Sequence, residues 1–175
     1  MYMRFLRIRV VEDKLWEFQR FYRERVVPAL EATPGCLLAS LLQPAVPGGD
    51  CVSMTLWKNP EAAESYESGE IFAGLLKESR RLLTVRSSGG GDAAGAPPPR
   101  VPRAEGYKVV TGEGGPTPDS PPADKLHVRI VTLMVKEEQS AALAERFRKE
   151  IVPALVALKG CVGAFLVEGA NRPTQ

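Results

Sequence analysis

The sequence predicts an α+β protein in which one strand–helix–strand plan is written twice. Three observations carry that reading. Val27-Pro28-Ala29-Leu30 returns as Val152-Pro153-Ala154-Leu155, and Gly35-Cys36 returns as Gly160-Cys161, both at an offset of 125 residues. Residues 2–11 alternate with a period of two, the signature of a strand. Residues 13–32 carry Leu15, Phe18, Tyr22, Val26 and Ala29 at three-four spacing, the stripe of an amphipathic helix.

The repeat is read first because it decides how everything else is parsed. At the same offset and without a gap, Arg4 meets Arg129, Val10 meets Val135, Glu12 meets Glu137, Arg23 meets Arg148, Ala39 meets Ala164 and Leu41 meets Leu166. A position kept in both copies serves the shared fold. One that differs is free for a local purpose.

The first strand has two faces. Arg4, Leu6, Ile8 and Val10 lie on one and Met3, Phe5, Arg7, Arg9 and Val11 on the other. The second copy keeps the first face apolar with Val131, Leu133 and Val135, but puts Thr132 and Met134 where Arg7 and Arg9 stand. The first face is therefore assigned to the core. In the helix that follows, Leu143, Phe147, Ile151 and Leu155 repeat the stripe. Pro28 and Pro153 sit inside it, where proline removes a hydrogen bond and crowds the preceding turn, a cost of about 3 kcal/mol if nothing adapts. A kink, or a break that proline reopens, is expected at both places. Thr33-Pro34-Gly35 ends the helix, and residues 37–42 form the second strand.

A loop over residues 44–50 leads to a third strand at residues 52–57. Asn59-Pro60-Glu61 then starts a helix by an explicit mechanism. Asn caps it, proline stands where no donor is needed, and an acid lies at the positive end. That helix is weak at Ser68-Gly69 and resumes to about Leu83, which completes a strand, helix, strand, strand, helix order. Residues 1–86 are the first module, with a possible extra strand at 106–111 supplied by Tyr107-Lys108-Val109-Val110. Residues 87–124 are a Gly/Pro-rich linker whose composition cannot bury enough apolar surface to order itself. Residues 125–175 are the second module. By the offset, Gln175 matches Asp50, so the second module lacks a third strand and second helix, and the expectation is a chain cut short.

Composition narrows the function. The chain is 44% hydrophobic and 25% charged, with net charge +2, and its basic residues are scattered singly rather than gathered in a nucleic-acid-binding stripe. No apolar run approaches the roughly 20 residues of a membrane span. The N-terminus enters strand pattern without a signal-peptide core, so the cytoplasm is the expected address. One histidine, His127, excludes a His-rich metal site or a Ser-His-Asp triad in each copy. Cys36 and Cys161 read as small apolar fillers at a strand start, and Cys51 stands alone.

The βαββα order, the proline in the first helix, the Pro-Gly-Cys that follows, and the stretch Ser53-Met54-Thr55-Leu56-Trp57-Lys58-Asn59-Pro60-Glu61-Ala62-Ala63-Glu64-Ser65-Tyr66 together resemble the antibiotic biosynthesis monooxygenase (ABM) family of the dimeric α/β-barrel superfamily. The resemblance covers residues 2–83 well, 126–170 in part and the linker not at all. It implies ferredoxin-like units whose sheets join into a barrel, each with a pocket between sheet and helices. Most members pair two separate chains. A tandem copy implies a pseudo-dimer within one chain, with a homodimer as the alternative. The tether would raise the effective concentration of one half for the other to about the mM range.

In this family the cofactor-independent oxygenases are understood to act on electron-rich phenols or enols. The resemblance therefore implies a monooxygenase for a phenolic or polycyclic aromatic small molecule, with no cofactor and no metal. Its site needs aromatic walls and a few polar contacts. Tyr66 is the catalytic candidate, as proton relay or hydrogen-bond donor. Trp57, Phe72, Tyr22, Arg7 and Arg9 are the substrate-binding candidates, the arginines favouring an ionised phenolate. These residues are expected to converge on a mainly apolar cavity of roughly 300 Å³ or more. Each also has a plainer reading: Trp57 as rim packing, Tyr66 as core with a surface hydroxyl, Arg7 and Arg9 as solvent-facing charges. The family's haem-degrading branch is disfavoured. Its first-strand Asn is missing, its helical Trp position falls on Tyr66, its His position falls near Leu76, and residues 1–126 hold no histidine. A non-catalytic ligand-binding or assembly domain of the same fold is the alternative.

Overall fold

The computed structural model describes residues 1–44, 48–84, 104–114 and 127–169. The chain forms two compact units, Met1–Gly106 and Tyr107–Gln175. Most of the expected linker, residues 87–103 and 115–124, lies outside the described residues, as does part of the 44–50 loop.

Unit 1 is a ferredoxin-like α+β unit. Strands β1 (Tyr2–Ile8), β2 (Cys36–Leu42) and β3 (Cys51–Trp57) form an antiparallel sheet with β3 between the other two. The β1–β3 register sets Arg4 opposite Thr55 and Leu6 opposite Ser53. Along β3, Cys51, Ser53, Thr55 and Trp57 are all buried, so this central strand turns alternate residues into the core, two of them hydroxylated.

The first helix runs without a gap, yet its hydrogen bonding changes twice. After a 3₁₀ turn at Glu12–Lys14 come α1 (Leu15–Phe21), a π-helical segment (Tyr22–Val26) and α2 (Val27–Glu31). The Val27 N–H reaches back five residues to the Tyr22 carbonyl, which widens the turn just before Pro28. The widened turn makes room for the proline ring, and the expected kink or break is replaced by a local change of pitch. It also realigns a stripe. Phe18, Tyr22, Val26 and Leu30 are four apart, a spacing that drifts about 40° per step around a regular α-helix. The π turn absorbs part of the drift, so all four face the same interior space.

The second helix follows its sequence signals closely. Asn59 Oδ1 accepts the Ala62 N–H at 3.0 Å, and α3 (Pro60–Glu67) begins on Pro60. The helix stops at Ser68-Gly69 and resumes as α4 (Glu70–Ser79), followed by a 3₁₀ turn at Arg80–Leu82. Gly35, at φ +89°, makes the turn into β2, and a Cβ there would stand 2.7 Å from the Ala62 side chain.

The strand β4 (Ala104–Gly114) begins in unit 1, where Glu105 pairs with Arg7 and Gly106 lies against the Tyr2 ring. In unit 2 it pairs antiparallel with β5 (Gly163–Gly169), so Tyr107 faces Gly169 and Lys108 faces Glu168.

Unit 2 repeats the π-helical segment and the short α-helix of unit 1, though it opens with α-helix where unit 1 has a 3₁₀ turn. α5 (Glu137–Arg146) leads into a π-helical segment (Phe147–Ile151) and α6 (Val152–Val156). Adding 125 to Tyr22–Val26 and Val27–Glu31 returns the last two spans. Gly160 holds φ +92°, and Cys161 Sγ points at the Gly163 carbonyl as Cys36 Sγ does at Leu38.

One expectation fails. Residues 127–136 carry a strand pattern but form no strand, and Val131, Leu133 and Val135, assigned to the core, are exposed. In unit 1 the partner of β1 is β3, and unit 2 has no counterpart of β3 among its described residues. An alternating pattern without a neighbour to hydrogen-bond to does not become a strand. His127 is exposed on this segment.

Candidate functional site

The core of unit 1 holds a cavity of about 50 Å³, partly open to solvent, between the sheet and its helices. It has room for a few solvent molecules and is about a third of the roughly 150 Å³ at which an apolar cavity takes up benzene. Arg4, Leu6 and Ile8 form its floor from β1, and Ser53 and Thr55 from β3. Phe18, Tyr22, Val26 and Leu30 close one side, and Tyr66, Phe72 and the α4 leucines close the other. The half-buried Phe21, Leu75 and Leu83 complete the lining toward the surface. Its volume is well below the expected 300 Å³. Phe72, three residues past Gly69, is buried and lines this space.

Aromatic rings make one wall. Tyr66 lies between Trp57 and Phe72, with centroids 5.5 Å from the first and 5.4 Å from the second, the latter edge to face. Trp57 is fully buried behind Tyr66 and does not line the cavity. Its indole Nε1 donates to Thr55 Oγ1 at 2.8 Å. Burial pushes the Tyr66 phenol up to about 12, against the opposing pull of Arg4, so the group is neutral at physiological pH and acts as a donor.

A second set of polar groups sits at the sheet. Tyr22 Oη and Ser53 Oγ are 2.7 Å apart, and the Tyr22 hydroxyl donates to the Ser40 carbonyl at 3.3 Å. A phenol has one proton, so Ser53 is the donor to Tyr22 and the two form a short relay ending on the backbone. Burial holds the Tyr22 phenol far above its ordinary range, with the Ser53 hydrogen bond pulling the other way.

Arg4 is the residue that sequence reasoning missed. It is 4% exposed, and its guanidinium lies 5.4 Å from the Phe72 ring centroid, a cation–π contact. Glu67 Oε1 is 2.8 Å from Nη2, but Nε and Nη2 have no hydrogen-bond acceptor among the described residues. The Glu67 contact is therefore coulombic and off the N–H axis. The signal was present: an arginine in the apolar phase of a strand, on the face assigned to the core.

Arg7 and Arg9 do not reach this space. Arg7 lies in the other phase of β1 and Arg9 just past its end, where Arg7 pairs with Glu105 at 3.6 Å and Arg9 with Asp50 at 2.8 Å, all in contact with solvent. Of the sequence-predicted residues, the structure thus brings Tyr66, Phe72 and Tyr22 together, sets Trp57 directly behind them and leaves both arginines outside. Among the described residues no group of three His, Cys, Asp or Glu side chains is arranged to hold a metal ion, and no helix is long and apolar enough to cross a membrane.

Residues 1–77 match the family described as antibiotic biosynthesis monooxygenase. No curated protein matches the chain. Among solved structures, an antibiotic biosynthesis monooxygenase is 19% identical, with 47% of this chain and 86% of that one covered and a TM-score of 0.42. A protein of unknown function from Nitrosomonas europaea is 16% identical over 66% of this chain and 94% of that one, TM-score 0.48. A mutant of MhuD, solved with two manganese protoporphyrin IX per active site, is 20% identical over 66% of this chain and 100% of that one, TM-score 0.46.

Proposed function

We propose that residues 1–77, which match the antibiotic biosynthesis monooxygenase family, form a domain of that family, and that the cavity of unit 1 binds a phenolic small molecule and supports its monooxygenation by molecular oxygen without a cofactor. The observation that supports this reading is the meeting of an aromatic wall, Tyr66 and Phe72, with buried polar groups, Arg4, Tyr22 and Ser53, around one interior space. In such a reaction the ionised phenol gives an electron to oxygen. One oxygen atom enters the ring, the other leaves as water with two hydrogens of the substrate, and the phenol becomes a quinone. The protein binds, orients and excludes water. Neutral Tyr66 donates a hydrogen bond to the substrate oxygen, Phe72 stacks on its ring, and the Arg4 charge favours the anionic form. The Tyr22–Ser53 relay gives the other end a fixed polar contact.

The same reading takes the 125-residue register and the matching π turns as a tandem duplication in a cytoplasmic protein, whose barrel forms within the chain or between two copies. The cavity volume favours one alternative for part of this proposal. A one-ring phenol requires the half-buried leucines of the lining to give way and a polycyclic one requires more, and a non-catalytic site would hold the ring without reaction.

The test is oxygen uptake and product analysis with a panel of one- and two-ring phenols. Tyr66→Phe should lower kcat at least tenfold with KM changed less than threefold, whereas Arg7→Ala and Arg9→Ala should leave both unchanged. Phenol binding without substrate-dependent oxygen uptake would replace the enzyme by the binding domain.

A further inference from the structure

The unpartnered edge of Arg4 has a definite geometry. In a guanidinium, the Nε–H and one Nη2–H lie parallel on the same side, a fork that matches two oxygens of one carboxylate. Those two nitrogens are the ones without a hydrogen-bond acceptor among the described residues, on a side chain 5% exposed that lines the cavity. A buried donor left unpaired is costly, the more so on a charged group, so such an edge stands ready for an acceptor. The walls beside it, Phe72 at 5.4 Å from the guanidinium and Tyr66 against Phe72, suit a flat ring.

From this we infer that the cavity of unit 1, widened where the half-buried Leu75 and Leu83 give way, takes a small aromatic carboxylate, its two oxygens on Nε and Nη2 of Arg4 and its ring against Phe72 and Tyr66. Glu67 is the built-in competitor. Its carboxylate neutralises the guanidinium from 2.8 Å, yet its side chain is 43% exposed and is free to turn outward when the ligand arrives. Binding then exchanges an off-axis coulombic contact for a bidentate charge-assisted pair. With the phenolic reading above, the substrate class narrows to hydroxylated one-ring aromatic acids. The inference rests on that reading only for the location of the ligand site, not for the reaction.

Binding is measured under nitrogen by titration calorimetry on the full chain, with benzoate, 2-hydroxybenzoate and phenol as probes, so that it is scored apart from turnover in air. The wild-type protein should bind both carboxylates at least tenfold more tightly than phenol. Arg4→Met should weaken the carboxylates at least tenfold and phenol by a smaller factor, so that the preference for carboxylates is lost. Arg4→Lys, which keeps the charge and loses the fork, should fall between the two. Glu67→Gln should tighten benzoate twofold to fivefold. If Arg4→Met does not fold, the wild-type selectivity and the Glu67→Gln gain still decide. Equal affinity for benzoate and phenol, no binding of benzoate, or no gain in Glu67→Gln would each overturn the inference. Tight benzoate binding without oxygen uptake of 2-hydroxybenzoate would uphold it and remove the monooxygenase reading instead.

Discussion

The indole nitrogen of Trp57 donates to the hydroxyl of Thr55, two residues earlier on the same strand and 2.8 Å away. Successive inward-facing positions of β3 thereby lock each other, and the fully buried Trp57 ring becomes the rigid backing on which Tyr66 is stacked.

The first prediction follows from that contact. Trp57→Ala should destabilise the protein by about 3–5 kcal/mol, the range for deleting a buried aromatic side chain. Thr55→Val keeps the shape but strands the buried indole N–H, which should cost about 1–3 kcal/mol. Urea unfolding of the full chain measures both. A Trp57→Ala variant as stable as the wild type would show that the ring carries no structural weight.

Alkaline stability tests the buried phenols. Tyr66 is pushed up to about 12 and Tyr22 is raised further, whereas an unfolded tyrosine ionises near 10. The folded state therefore holds protons that the unfolded state has released. This contribution to stability is fully present below about pH 10 and is lost as pH rises toward the folded values. Between pH 10.5 and 11.5 each such group should steepen the fall by up to about 1.4 kcal/mol per pH unit. Tyr66→Phe should flatten the curve by one group's share, read from denaturation midpoints across the range.

Gly35 and Gly160 form a matched pair. Both hold positive φ, but a Cβ at Gly35 meets Ala62 at 2.7 Å, while at Gly160 nothing lies within 4 Å. Gly160→Ala should cost only the left-handed conformation, about 1–2 kcal/mol. Gly35→Ala adds an overpacking penalty of about 1–3 kcal/mol against the start of α3. Equal losses, measured by thermal or urea unfolding, would mean that α3 yields to the added methyl.

Pro28 lies just past a π turn that already accommodates it, so Pro28→Ala should shift stability by no more than about 1 kcal/mol. A gain of several kcal/mol would show that the ring strains the helix and that the widened turn is not its accommodation.

Local chemistry was legible in the chain before any fold. The Asn59 cap with Pro60 at the first turn, the interruption at Ser68-Gly69, the glycine turn at Gly35 and the two apolar faces of β1 all arise from residues within a few positions of one another. The 125-residue register went further. It pointed to identical helical irregularities in both units, because the same proline in the same stripe meets the same crowding.

What the pattern could not carry was depth and opposition. Alternation placed Arg7 and Arg9 on a shared face, but their partners Glu105 and Asp50 come from distant parts of the chain and hold them at the surface. Trp57 had the composition of a pocket residue, and its burial behind Tyr66 was decided by how α3 and α4 settle on the sheet.

By itself, then, the sequence determined which segments become strands and helices in unit 1, where the helix is interrupted, and which face of β1 turns inward. Each of these depends on backbone geometry and nearest neighbours. Only tertiary structure decided that Arg4 is buried with two nitrogens lacking a hydrogen-bond acceptor among the described residues, that the cavity is far smaller than expected, and that residues 127–136 form no strand despite their alternation. Those outcomes depend on which surfaces meet across the core, and a periodic pattern names the face that turns inward without naming what comes to oppose it.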